Sequence, residues 1–189
     1  MKNSPEEIER LRRAAEQGDL EAQFKLGRAY DFWEGVEKNR VEAIKWYRLA
    51  AGQGCAEARH NLGWVYLYGG GGVEKNQAEA LKWFRLAAEQ GFAPAQFGLG
   101  WAYCEEVACE GGAVDQAESA KWFRKAAEQG HLEAQINLAD AYCKGEGVEK
   151  NIPEAAKWLR LAAEIGFDEA QFCMGEAYRL GNEAREFGG

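Results

Sequence analysis

The chain has 189 residues, with 47% hydrophobic residues, 29% charged residues and a formal net charge of -8. This composition predicts a globular protein with a buried core and excludes a disordered chain. The acidic balance argues against a nucleic-acid surface, because phosphate contacts need a basic stripe. No apolar run approaches the roughly 18 residues that a membrane helix needs, so no membrane span is predicted.

The first predicted element is a helix that begins after Ser4. Pro5 suits the first helical position, and the two acids that follow it suit the positive end of the helix dipole. Gly18 suits the left-handed position that ends a helix. The acidic start does not resemble a signal peptide, so the chain is expected in the cytoplasm. A periplasmic or secreted location stays an alternative if a leader was removed.

After this helix a phrase of the form Lys-Trp-x-Arg-x-Ala-Ala recurs four times, and a glycine follows each copy. The copies begin at Lys45, Lys82, Lys121 and Lys157, and the glycines are Gly54, Gly91, Gly130 and Gly166. Counted from Gly18, the glycines are 36, 37, 39 and 36 residues apart. A repeat of this length is typical of stacked helix pairs.

Each repeat is predicted to contain a first and a second helix. The first helix carries Ala-x-x-x-Leu-Gly-x-x-Tyr, a stripe of small and apolar residues at helical spacing. The second helix opens with a capping residue and an acid three positions later, at Asn39, Asn76, Asp115 and Asn151. Its tryptophans belong to the apolar stripe and are interpreted as packing residues: Trp46, Trp83, Trp122 and Trp158. One such pair cannot bury both of its faces, so the pairs must stack.

These motifs, joined by a Gly-Val-x-x-Asn loop, resemble the Sel-one-like repeat over about residues 10 to 181. That family is a longer-looped relative of the tetratricopeptide repeat. The resemblance implies an all-α fold, a right-handed superhelix or solenoid of helix-turn-helix repeats whose first helices line a concave surface. It also implies adaptor roles in signalling or assembly complexes, and it implies no chemistry.

The glycines divide the chain into a capping helix and successive repeats. The expected ranges are 4-18 for the capping helix, 19-54, 55-91, 92-130 and 131-166 for four repeats, and 167-189 for a partial fifth repeat or C-terminal cap. The third repeat departs from the pattern, because its long loop before Asp115 lacks the Gly-Val-Glu-Lys-Asn sequence.

Partner-binding residues are expected on the first-helix positions that the packing stripe leaves over. The resemblance implies which of these positions face the concave surface, and the candidates taken from them and their neighbours are Phe24, Arg28, His60, Asn61, Trp64, Phe97, Trp101, Asn137 and Asp140. Asn61 and Asn137 are predicted to hydrogen-bond the backbone of an extended peptide. Trp64 and Trp101 have two interpretations: they anchor an interface, or they pack between adjacent first helices.

The chain offers no arrangement that predicts catalysis. Its two histidines, His60 and His131, fall in different repeats, and no paired carboxylates or phosphate-binding glycine loop can be singled out. The five cysteines lack the short paired spacings of a zinc site and are expected to be free thiols, with a disulfide in the third loop as the alternative. No catalytic residue, cofactor or metal is therefore predicted, and the chain is not expected to be an enzyme.

The sequence thus predicts an interaction scaffold or adaptor that binds a peptide or partner protein on the concave surface. The alternative is a docking or regulatory arm of a larger enzyme or signalling complex. Neither nucleic acid nor a membrane is an expected partner, and the oligomeric state is not predicted.

Overall fold

A computed structural model describes residues 4–32, 34–104 and 114–164 of the chain. Over these ranges the chain forms nine α-helices and no β-strand: α1 (Pro5–Glu16), α2 (Leu20–Phe32), α3 (Arg40–Gly52), α4 (Ala56–Tyr68), α5 (Gln77–Ala88), α6 (Ala93–Cys104), α7 (Gln116–Glu128), α8 (Leu132–Lys144) and α9 (Ile152–Glu164). The predicted all-α class is therefore confirmed. The partial fifth repeat predicted at 167-189 and most of the third loop lie outside the described residues.

The helices fall into two compact units, Met1–Gly98 and Leu99–Gly189. In the first unit each of α1 to α4 packs against the helix that follows it, and in the second unit α7 packs on α8 and α8 on α9. None of the helices in the described ranges is both long enough and apolar enough to cross a bilayer.

The predicted helix boundaries follow from their caps. The side chains of Asn39, Asn76, Asp115 and Asn151 accept hydrogen bonds of 3.0 to 3.1 Å from the backbone N–H three residues later. Each bond satisfies a donor that the helix itself leaves open. The glycines after three second helices, Gly54, Gly91 and Gly130, have φ between 84° and 96°, the left-handed backbone that only glycine takes at little cost.

The core of three repeats is an aromatic ring laid on a glycine of the preceding first helix. Tyr47 lies on Gly27 in this way, and a Cβ added to the glycine would be 2.6 Å from the ring. The equivalent distances are 2.5 Å from Gly63 to Phe84 and 2.7 Å from Gly100 to Phe123. No side chain fits in these gaps, so the Leu-Gly step of the first helix is a packing requirement.

In the fourth repeat the first-helix residue of this pair is larger and the second-helix residue is smaller than in the other repeats. Ala139 replaces the glycine and Leu159 replaces the ring, and both residues are buried in one cluster with Ala155. The methyl group gained on one helix fills space that the smaller side chain vacates on the other. Total core volume is thereby kept, which is the condition under which core substitutions are tolerated.

The tryptophans of the second helices pack as predicted but lie at the edge of the core and are only partly buried. Trp46 contacts the buried cluster of Ala15, Ala22 and Leu26. Trp83 contacts the cluster around Tyr47, and its indole Nε1 donates to Glu79 Oε2 at 2.9 Å. The side chain after each tryptophan is instead buried, because that position faces a glycine, or Ala139 in the fourth repeat, on the first helix.

Candidate functional site

The first unit contains a groove of about 370 Å³ between α2, α3 and α4. Its lining residues are Asp31, Phe32, Arg40, His60, Asn61, Trp64, Val65 and Tyr68. The helices α2 and α4 are the first helices of the first two repeats, so the groove lies on the face where binding residues were expected. Three predicted residues, His60, Asn61 and Trp64, meet there.

One wall of the groove is aromatic. Trp64 and Tyr68 are one turn apart on α4, and their rings are stacked with centroids 5.6 Å apart and an interplanar angle of 5°. Phe32, at the end of α2, is 60% exposed, and Tyr68 is 46% exposed. Large apolar side chains held at this exposure beside a groove are typical of interaction sites.

Trp64 packs against neighbouring rings and also lines the groove, so its packing is observed and its role as an interface anchor stays a prediction. Its ring meets Phe84 edge-on at 5.1 Å and lies 6.5 Å from Phe97. Its indole Nε1 donates to His60 Nε2 at 3.0 Å, which requires that nitrogen of His60 to be unprotonated. His60 in turn packs against Phe84 and Phe92.

The groove also contains an ion pair, whose two charges cancel. Arg40 Nε lies 3.2 Å from Asp31 Oδ1, and the side chains are 24% and 6% exposed. Arg40 Nη1 also donates to the carbonyl of Gly69. Sequence reasoning missed both residues, although Asp31 stands where the other first helices carry Leu67, Cys104 or Cys143. That departure from the repeat was the available signal.

Beneath the groove lies the hydroxyl of Tyr47. The residue is 0% exposed, and its hydroxyl oxygen makes no hydrogen bond of acceptable geometry. Burial raises the pKa of Tyr47 above its ordinary value, the Asp31 charge adds to the rise, and the Asn61 side chain opposes it. Asn61 is thus close enough to influence the hydroxyl electrostatically, although the two groups do not complete a well-formed bond.

The other candidates of the first unit lie around this groove. Arg28 is 2.8 Å from Glu34 in an ion pair, and its guanidinium is 6.0 Å from the Phe32 ring centroid. Phe24 packs on Tyr47 with centroids 6.2 Å apart, and Phe97 supports Trp64 from behind. Arg28 therefore belongs to the rim, while the two phenylalanines belong to the packing below it.

The candidates of the second unit make local contacts. The Asn137 amide donates to the Glu133 carbonyl of its own helix at 2.7 Å. Asp140 and Lys144 form an ion pair of 2.6 Å on the exposed face of α8, and this hydrogen bond raises the pKa of Lys144. Trp101 is partly buried in α6. These three residues remain predictions as binding residues.

No group of three metal-ligating side chains occurs within the described ranges. Cys55 is a buried free thiol, and Cys104 is the last residue of α6. Burial raises the pKa of the Cys55 thiol and lowers that of His131, which occupies the N-cap position of α8 with its Nδ1 3.4 Å from Glu133 Oε2.

Stacked helix pairs, glycine-ring packing and a groove between first helices define a helical-repeat protein of the tetratricopeptide type. The Sel1 repeat model matches residues 11–19, 20–55, 56–92, 93–131 and 132–167. The chain belongs to the Sel1 repeat family. Proteins of this family are generally protein-interaction scaffolds and are typically non-catalytic.

Two solved structures carry the same fold at substantial identity. One is c5321, a protective antigen of uropathogenic Escherichia coli with an SLR fold, at 38% identity and a TM-score of 0.81 over 90% of this chain. The other is a Sel1 repeat protein from Oxalobacter formigenes, at 37% identity and a TM-score of 0.79 over 92% of this chain. The immunity protein PA5088 from Pseudomonas aeruginosa, at 22% identity over 87% of this chain and 58% of its own, shares the fold with a TM-score of 0.53.

This chain spans 36% of the length of c5321 and 68% of that of the Oxalobacter protein. No curated protein sequence matches it.

Proposed function

We propose that the chain binds a protein or peptide partner through its first helices, and that the groove between α2 and α4 is the centre of the contact. The observation that carries this proposal is the aromatic wall of Phe32, Trp64 and Tyr68, held partly exposed beside the groove. Rigid aromatic side chains contribute most to interfaces, because they bury large areas while losing little conformational freedom.

The cleanest test uses Phe32, because Trp64 also supports the core. Full-length protein serves as bait, and captured proteins are compared between wild type and Phe32→Ala. Leu49→Ala is the matched control, since Leu49 is 51% exposed on the second helix α3 and lies outside the groove lining. We expect Phe32→Ala to lose the partner and Leu49→Ala to retain it, with both melting temperatures close to wild type. Equal capture by the two variants would contradict the proposal.

A docking or regulatory role within a larger assembly is the second candidate. The greater length of the matched solved structures favours it, because longer Sel1 arrays offer several contact surfaces. Gel filtration of the chain purified from its natural host tests this role. Elution with an enzyme activity, lost in Phe32→Ala, would support it, and elution of the chain alone would argue against it.

We also propose a reducing compartment such as the cytoplasm as the location. The buried thiol of Cys55, which is in no disulfide, supports it, since exported proteins tend to pair their cysteines. Fractionation of the natural host tests this proposal, and recovery with exported proteins would contradict it.

A further inference from the structure

Two arginines of the first unit each donate to the tyrosine of the first helix that follows. Arg12 Nη2 on α1 donates to the Tyr30 hydroxyl of α2 at 3.1 Å, and Arg48 Nη2 on α3 donates to the Tyr66 hydroxyl of α4 at 2.7 Å. A phenol is neutral at ordinary pH, so these bonds fix the position of each guanidinium group without cancelling its charge.

Arg48 differs from the lysines of the same exposed helix face, because those lysines are paired. Lys45 forms an ion pair with Glu42 of its own helix, and Lys82 on α5 pairs in the same way with Glu79 at 3.1 Å. Within the described ranges no carboxylate lies within ion-pair distance of Arg48. A guanidinium group has five N–H donors, and Tyr66 accepts from only one nitrogen of Arg48. Arg48 therefore holds an uncancelled charge and further donors at a fixed, exposed position.

The loop after α4 places a second cation beside the same tyrosine. The backbone N–H of Asn76 donates to the carbonyl of Tyr66 at 2.8 Å, and Lys75 immediately precedes Asn76. The stem of Lys75 packs on Gly69, where an added Cβ would lie 3.0 Å from Lys75 Cγ. Lys75 forms no ion pair with the residues that the structure describes. The loop therefore holds a second cation near Arg48.

The preceding repeat shows the recess that such a pair of cations shares. This recess has a volume of about 470 Å³, and its lining residues are Arg12, Tyr30, Val36, Glu37, Lys38 and Asn39. Arg48, Tyr66 and Lys75 occupy the equivalent places one repeat later and form what we call the second-repeat recess. The recess at Arg12 shares no lining residue with the groove between α2 and α4.

The charges of the second-repeat recess favour a carboxylate as its occupant. Arg48, Lys75 and the neighbouring acid Glu74 together have a net charge of +1, which one carboxylate balances. A phosphate group carries nearly two negative charges and would be repelled more strongly by Glu74. In the preceding repeat Glu9 lies 3.6 Å from Arg12, so that recess is closer to neutral and attracts an anion less.

The first unit as a whole does not oppose an acidic partner. It has 14 Lys and Arg against 14 Asp and Glu over residues 1–98. Arg124 and Tyr142 form the same donor pair in the second unit, but that unit carries the whole negative net charge of the chain. Repulsion between like charges slows and weakens association, so the first unit is the better place for an acidic segment.

We propose a second interaction surface, separate from the groove: the second-repeat recess of Arg48, Tyr66 and Lys75 binds an acidic segment of a protein partner. A carboxylate of the segment accepts from the Arg48 guanidinium and pairs with the Lys75 ammonium, an arrangement that planar guanidinium groups suit. Tyr66 is a positioning residue that holds the guanidinium of Arg48 in place and does not touch the partner.

Fluorescence anisotropy on the full chain tests this proposal with fluorescein-labelled peptides that differ only at several positions. These positions hold glutamate in the acidic peptide, glutamine in the neutral peptide and phosphoserine in the phosphorylated peptide. Each peptide is titrated at about 50 and about 500 mM salt. Arg48→Gln and Lys75→Gln remove the proposed contacts. Lys45→Gln is the matched control, because it removes one charge from the same helix at a lysine that Glu42 already pairs.

We expect wild type to bind the acidic peptide at least about tenfold more tightly than the neutral one at low salt, and to lose most of this preference at high salt. Arg48→Gln and Lys75→Gln should each weaken binding about fivefold, and Lys45→Gln less than about twofold. Tyr66→Phe keeps every charge and should weaken binding about two- to threefold, because the guanidinium is no longer held in place.

Equal losses in Arg48→Gln and Lys45→Gln would overturn the proposal, because only the overall charge would then matter. Preference for the neutral or the phosphorylated peptide, or no binding of any peptide, would overturn it as well. Unchanged affinity of Tyr66→Phe would refute the positioning role. Lys75→Gln stays informative if Arg48→Gln lowers the melting temperature, because Lys75 donates no side-chain hydrogen bond within the described ranges.

The groove and the second-repeat recess can be separated experimentally. Phe32→Ala should bind the acidic peptide as wild type does, because Phe32 lines the groove. A loss of acidic-peptide binding in Phe32→Ala would contradict two separate surfaces. Failure of the peptide experiment leaves the groove proposal standing, because the capture experiment with Phe32 and Leu49 variants tests that proposal independently.

Discussion

The helices α4 and α8 are equivalent elements of two repeats, but they carry contrasting side chains at equivalent exposed positions. At one pair of equivalent positions α4 has the stacked rings of Trp64 and Tyr68, whereas α8 has the ion pair of Asp140 and Lys144. The backbone and the buried leucine-alanine stripe are alike in both helices. The repeat therefore fixes the scaffold, and the positions left over by packing decide what each repeat can bind.

The two units also differ in their content of charged residues. Residues 1–98 are balanced, and residues 99–189 contain 9 Lys and Arg against 17 Asp and Glu, which accounts for the whole net charge of the chain. The overall acidity therefore says nothing about the neutral groove in the first unit. A net charge describes long-range attraction and solubility, while a binding site depends on the local arrangement.

Trp64→Ala should have the largest effect on stability and would show how far the aromatic wall supports the fold. The change removes contacts with Phe84 and Phe97 and the bond to His60. We expect a loss of about 2–4 kcal/mol in the free energy of unfolding, measured in urea. Asp140→Ala at the equivalent position of α8 should change it by less than about 0.5 kcal/mol. Similar losses of unfolding free energy in the two variants would contradict the proposed difference between α4 and α8.

Gly63→Ala tests the packing rule shared by the first three repeats. A Cβ there would lie 2.5 Å from the Phe84 ring, so we expect about 2 kcal/mol of destabilisation by thermal or urea unfolding. Gly52→Ala in α3 is the control, because its added Cβ meets nothing within 4 Å. That control should be neutral or slightly stabilising, since alanine is the better helix former. A stable Gly63→Ala variant would refute the packing rule.

Leu159→Phe sharpens the contrast between the fourth repeat and the others. The new ring has to share its space with the Ala139 side chain, so we expect a loss of about 1–2 kcal/mol. Adding Ala139→Gly restores the glycine-ring pair of the earlier repeats and should recover most of that loss. A double-mutant cycle in urea measures the coupling, and simple additivity would contradict the volume exchange.

Alkaline unfolding isolates the Tyr47 hydroxyl. Because burial raises its pKa in the folded state, the unfolded chain ionises first, near the ordinary value of 10.0, and stability falls as the pH rises through that value. Wild type should lose about 1.4 kcal/mol per pH unit above this point relative to Tyr47→Phe. Parallel pH profiles for the two proteins would mean that Tyr47 ionises freely in the fold.

The sequence predicted the fold because its signals are local and repeated. The capping residues Asn39 and Asn76, and glycines such as Gly54, each specify a helix end without reference to the rest of the chain. The same periodicity located the first-helix face, and His60, Asn61 and Trp64 do meet in one groove.

The remaining features of the site depend on contacts between helices that no period reveals. Asp31 and Arg40 come from different helices and form a pair only after α2 and α3 pack. Phe32 and Tyr68 lie at the ends of α2 and α4, where the apolar stripe of the first helices no longer indicates which side chains are exposed. In the sequence Tyr47 occupies the same position as the core rings Phe84 and Phe123, so the burial of its hydroxyl was not predicted.

The most direct test of the account compares two asparagines that occupy the same position in two repeats. Capture of partner proteins on full-length bait is compared between wild type, Asn61→Ala and Asn137→Ala. The account predicts that Asn61→Ala captures less of the partner than wild type, because Asn61 lines the groove, while Asn137→Ala captures as much as wild type does. Equal capture by the two variants, or a loss confined to Asn137→Ala, would contradict it.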